Sequence, residues 1–180
     1  MIYYTTLACY CAGVGVKFDG GLIMPIIFLM LTFLAILVHI VFMKQRTTKK
    51  MIEVVLLYLL VIGVGLGALI AGFMHVFNGP ATAKMIGWLP GSPFQYEVGV
   101  ADMAFGLVCV LCLFFRGSFW LAAIIANSFF LFGCMVGHVR SLVQSNNFAV
   151  YNIGPNIIIA DIILPLVLIA LYIYYSKLEN

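Results

Sequence analysis

The chain has 180 residues, of which 65% are hydrophobic and only 8% charged, with a formal net charge of +3 and a mean hydropathy of +1.19. Soluble domains carry about 25% charged residues, so this chain has too little polar surface to clothe a water-facing globule, and its exterior must face lipid. The small positive charge forms no basic stripe, which argues against a nucleic-acid partner, and the length suits one integral membrane domain over residues 1–180.

In chain order, residues 1–16 are apolar but lack a basic n-region, so they do not read as a cleaved signal peptide. They either lie in the interface or insert as a short additional span. A bilayer core of ~30 Å takes ~20 apolar residues of helix, and five later runs reach that length. These are residues 22–43, 51–77, 94–115, 118–142 and 156–176. The expected fold class is therefore all-α: a polytopic transmembrane helical bundle of five spans, or six if residues 1–16 also insert.

The connections set the orientation. Lys44, Arg46, Lys49 and Lys50 form the dense basic cluster, between the first two spans. Cytoplasmic loops hold Lys and Arg. With this loop inside, Arg116 and Lys177 fall inside too, while Lys17, Lys84 and Arg140 fall outside: six basic residues against three. This makes the chain a multi-pass protein of the cell membrane, with the Lys44–Lys50 loop and the C-terminus cytoplasmic. The outer loop 78–93 contains Gly79, Pro80, Gly91 and Pro93, which interrupt helix. Its Trp88 suits the headgroup level. Small residues on the second span, in the pairs Gly63/Gly67 and Ala68/Gly72, suit close helix contacts. The run Gly63-Val64-Gly65-Leu66-Gly67 lies inside an apolar helix with no preceding strand, so it is not a nucleotide loop.

His75, Glu97, Asp102, His138, Arg140 and Asp161 are the strongly polar residues of the spans, and all fall near their outer ends. At ~1.5 Å per residue they lie within roughly 10 Å of the outer boundary. Charge is costly in hydrocarbon, so such groups face the bundle interior or a wet cavity. On the third span Gln95, Gly99, Asp102, Gly106 and Cys109 share one stripe; on the fourth, Asn127, Cys134, His138 and Ser141 do. Glu97 falls about 140° from Asp102. Plainer roles compete throughout. The two histidines can brace helices, Glu97 can cap its helix at the positive dipole end, and Arg140 can snorkel to the headgroups. Cys109 and Cys112 suit packing, and Pro165 leaves the carbonyl of Asp161 without its usual donor.

The block Gly87-Trp88-Leu89-Pro90-Gly91-Ser92-Pro93-Phe94-Gln95, followed by Glu97-Val98-Gly99, resembles a family of small prokaryotic multi-pass membrane proteins that forms a domain of unknown function. The resemblance continues at Gly137-His138, at Asn152-Ile153-Gly154-Pro155, and at Asp161 with Pro165, and covers roughly residues 60–170. The family pattern has asparagine where this chain has Asp102, which puts a catalytic role for that carboxylate in doubt. The resemblance implies a membrane location and a shared site, and no activity.

Whether the chain is an enzyme is not decided by its sequence, and the expected activity stays at the level of a site. His75, Glu97, Asp102, His138 and Asp161 are the ligand or metal candidates, with Trp88, Gln95, Asn127 and Arg140 as lid or supporting residues. The two histidines could ligate haem b or, with the carboxylates, a divalent metal. Alternatively, the layer serves a proton-coupled transporter, an outer-interface enzyme acting on lipid or quinone, or a structural subunit of a membrane complex. Expected partners are the lipid bilayer and a small ligand or other membrane subunits.

Overall fold

Apolar runs in lipid must satisfy their own backbone groups, and helices do so within each segment. The computed structural model describes residues 20–178, and those residues build six helices. They are α1 (Gly20–Phe42), α2 (Thr48–Phe77), α3 (Gly79–Ile86), α4 (Phe94–Leu111), α5 (Ser118–Ser145) and α6 (Val150–Lys177). No strand occurs among the described residues. Residues 1–16, with Cys9 and Cys11, lie outside them.

Four helices, α2, α4, α5 and α6, are long and apolar enough to cross a membrane. Among the described residues these four are the candidate spans, and α1 adds the apolar stretch Ile26–Phe42. Boundaries differ from expectation. α4 stops at Leu111, before the turns that lead to Gly117 at φ 62°. α5 runs on to Ser145, where Asn146 adopts a left-handed φ of 49° and ends it. α6 starts earlier, at Val150, and bends at Gly154 before Pro155 restarts the helix.

The basic loop is held by local bonds. Arg46 donates from Nη2 to Val41 O at 2.8 Å, satisfying a carbonyl at the end of α1. Thr47 caps α2, its Oγ1 accepting from Lys50 N at 3.4 Å. Arg116 meets Glu53 at 3.5 Å, and the Arg116 guanidinium lies 4.8 Å from the centre of the Trp120 ring. Tyr172 Oη donates to Gly117 O at 3.3 Å. This end of the bundle, the basic end, also holds the apolar core. Leu56, Leu60, Val64, Cys109, Cys112, Trp120, Ile124, Leu168 and Tyr175 pack together there. Cys109 and Cys112 are among its fully enclosed members.

The closest helix contact is α2 against α4. Gly65 and Gly72 on α2 face Gly106 and Gly99 on the antiparallel α4. A Cβ on Gly72 would lie 2.5 Å from Gly99 O, and one on Gly106 would lie 2.8 Å from Gly65 O. Backbone meets backbone, as small residues permit in lipid. This corrects the expected pairing: Gly72 takes part, but a Cβ on Gly67 would meet nothing within 4 Å. The reason is local, since residues 59–66 form a widened π-helical segment, and an inserted residue shifts the phase of everything after it.

Candidate functional site

At the end opposite the basic loop, the structure sets a polar layer across four helices and one loop. Two of the elements that build it are unusual. Helix α3 ends at Gly87, at φ 80°, with Gly87 N donating to Lys84 O at 3.1 Å and Trp88 N to Ala83 O at 2.8 Å. This is the paired-bond stop that a left-handed glycine allows, and a Cβ on Gly87 would collide with the Asn147 side chain. Trp88 is thereby laid over His138, with ring centroids 5.9 Å apart and planes at 21°. In α6, residues 159–163 form a second π-helical turn with Asp161 at its centre. Pro165, which is buried, has no N–H to give to the Asp161 carbonyl.

Asn152 fixes the chemistry of His138. Its Nδ2 donates to two backbone carbonyls, His138 O at 3.1 Å and Asn147 O at 2.9 Å. Carbonyls only accept, so the amide orientation is set and Oδ1 is left as the acceptor. Oδ1 lies 3.0 Å from His138 Nδ1, and that nitrogen must carry the donated hydrogen. In the neutral ring Nε2 is then bare. Nε2 faces Asp161 Oδ2 at 3.8 Å, beyond hydrogen-bond distance. Both side chains are enclosed, at 11% and 8% exposure. A bare nitrogen opposite an ionised carboxylate is repulsive, whereas one proton on either group makes the pair attractive.

The rest of the layer surrounds this pair. His75 Nδ1 bonds Gln95 Oε1 at 2.7 Å, joining α2 to α4 just beyond the Gly72–Gly99 contact. His75 lies within electrostatic reach of His138, and Asp102 within reach of Asp161. Cys134 lies within electrostatic reach of both carboxylates. Asn147 donates to Ile86 O at 2.8 Å and to Ser141 Oγ at 3.0 Å. Thr82 Oγ1 is 3.0 Å from both Met74 O and Asn78 O, which ties α3 to the end of α2.

Of the expected site residues, the structure pairs His138 with Asp161 and His75 with Gln95, and it stacks Trp88 on His138. Glu97 and Arg140 are exposed, each off the buried stripe of its helix. Asn127 is buried, but eleven residues separate it from His138, ~16 Å along α5. Its Nδ2, like Ser128 Oγ beside it, has no partner among the described residues. Asn147, Asn152 and Thr82 were missed, because uncharged loop and cap residues carry little signal until the fold shows which carbonyls they meet. Among the described residues, no three His, Cys, Asp or Glu come together as a metal-holding group. The haem reading meets a similar limit at His138, where Nδ1 is engaged, Nε2 faces a carboxylate and Trp88 covers the ring.

These features define an all-helical protein with four candidate membrane-crossing helices and a polar layer at one end. The chain belongs to DUF6790, a family of unknown function, whose model matches residues 22–180. That match extends beyond the residues 60–170 over which the sequence resemblance was traced. No curated protein and no solved structure matches the chain.

Proposed function

We propose that the protein is a five-span integral membrane protein whose polar layer binds and transfers protons, with His138 and Asp161 as the central pair and Asp102 and His75 beside it. The observation that carries this reading is the bare Nε2 of His138 facing an enclosed carboxylate, with the opposite ring nitrogen committed to Asn152. One proton on either group makes such a pair attractive, and among the described residues Asp161 makes no ion pair with a lysine or arginine. Intramembrane carboxylate and histidine groups of this kind serve proton relays in carriers and pumps. Helix α1, 23 residues long, reaches ~34 Å at 1.5 Å per residue, enough to serve as the fifth span. The Lys44–Lys50 loop then faces the cytoplasm, and the layer opens toward the outer leaflet.

The internal hydrogen bonding favours a second reading, in which the layer only braces helices. Infrared difference spectra of reconstituted protein, recorded between acidic and neutral pH, separate the two. The proton reading expects a carboxylic-acid band that changes with pH and is lost in Asp161→Asn while the helices stay folded. A pH-insensitive spectrum in the unsubstituted protein, with unfolding of Asp161→Asn, favours bracing and overturns the proposal.

A further inference from the structure

The basic end carries a feature that the polar layer does not use. Helices α1 and α2 flank an open groove of about 660 Å³, walled by Leu34, Ala35, Val38, Ile62 and Leu66. Its described length on α1, from Leu31 to Phe42, is ~16 Å at 1.5 Å per residue, roughly one leaflet of a ~30 Å hydrocarbon core. At its lower end His39 Nδ1 and Tyr58 Oη meet at 3.1 Å. Beyond that pair a second hollow of about 250 Å³ opens, where His39, Lys50, Glu53 and Arg116 join the apolar Val54 and Leu57. The two share His39 and Met43, so an apolar trough runs into a charged mouth.

We propose that this continuous trough is a binding site for one anionic phospholipid of the leaflet at the basic end. The lipid tail lies between α1 and α2, and its phosphate sits in the mouth against Lys50 and Arg116. Charge complementarity selects the occupant. The mouth holds two cations and one carboxylate, Glu53, and Glu53 is turned onto Arg116 at 3.5 Å. Lys44 and Arg46 on the adjoining loop, and Lys49 in the first turn of α2, add positive charge. Basic pockets between membrane helices take up acidic headgroups on such grounds. The His39–Tyr58 pair lies where tail gives way to headgroup, and supplies polar hydrogens at that depth. A neutral lipid would fill the trough and leave the mouth unanswered. This inference needs the helices to lie in a membrane, and is independent of any proton chemistry at the other end.

The test is lipid retention by the purified full chain in detergent, measured by native mass spectrometry with phosphatidylglycerol or phosphatidylcholine added. The expected result is several-fold greater retention of phosphatidylglycerol. That preference should fall to the phosphatidylcholine level in Lys50→Gln/Arg116→Gln, and total retention should fall in Ala35→Trp, which fills the trough. Lys50→Gln alone serves if the double variant does not fold, since it leaves the Arg116–Glu53 pair intact. Equal retention of the two lipids overturns the proposal. So does a preference that survives both variants but vanishes when Lys44, Arg46 and Lys49 are neutralised, because the attraction would then belong to those three residues. Competition by free glycerol phosphate as effective as by whole lipid also overturns it, since the trough would then contribute nothing.

Discussion

Asn152 shows how much one uncharged side chain can decide. It touches two carbonyls and one ring nitrogen, and the two partners on His138 are buried. A buried polar group left without its partner costs about 1–3 kcal/mol, so Asn152→Leu, which removes all three bonds, should lower the thermal midpoint in detergent markedly. Glu97→Ala, on an exposed side chain, should stay within ~0.5 kcal/mol of the parent, as surface changes do. Histidine nitrogen NMR gives a second check: the Nε2-bare tautomer of His138 should be populated in the parent protein and lose its dominance in Asn152→Leu. An Nε2-protonated tautomer in the parent would contradict the assigned role of Asn152. In sequence, His138 and Asp161 stand out because charge is conspicuous in an apolar run. Asn152 does not, because its importance lies in carbonyls that it reaches only through the turn at Asn146.

At the scale of elements, amphipathic spacing was legible where helices are uninterrupted. The stripes of α4 and α5, read at 3.6-residue spacing, are their buried faces, with Gln95, Gly99, Gly106 and Cys109 enclosed on one and Asn127 and His138 on the other. The same reasoning misjudged α2, where the expected pair Gly63/Gly67 crosses the end of the π-helical segment. The structure therefore separates two glycines of one helix that look alike in sequence. Gly72→Leu forces atoms into the α4 backbone and should destabilise the protein by at least the ~1–3 kcal/mol typical of overpacking. Gly67→Ala meets open space and should be neutral or slightly stabilising, since alanine is the better helix former. Thermal unfolding of the two variants side by side checks this; equal effects would mean that the α2–α4 contact is not as close as described.

For the whole molecule, the bundle is divided by polarity along its length: apolar core at the basic end, hydrogen-bonded polar layer at the other. Composition foretold the helices, and large exposed side chains such as Met30, Phe33 and Phe129 are compatible with a lipid-facing exterior. It could not foretell that the polar residues would bond mainly to one another and to backbone, with a groove between α1 and α2 elsewhere. The proposed orientation makes a direct prediction. A cysteine introduced at Thr48 should resist an impermeant thiol reagent in intact cells, while one introduced at Leu89, which is almost fully exposed at 89%, should react. The reverse pattern would invert the molecule.

The two π-helical turns have a consequence for how these halves depend on each other. In α2 the turn lies between the core residue Leu56 and the polar His75; in α6 it lies between Asn152 and the core residue Leu168. Each behaves as an added tooth in a gear train, setting one half of its helix about 100° out of step with a regular continuation. Helices α4 and α5 run through the same depth as unbroken α-helix, so they act as the fixed shafts against which the other two are timed. Deleting Ile62 or Ala160 should therefore do more than shorten a helix. Either deletion should leave one end of the bundle meshed and throw the other out of mesh, a mismatch that reinserting a residue elsewhere in the same turn would repair.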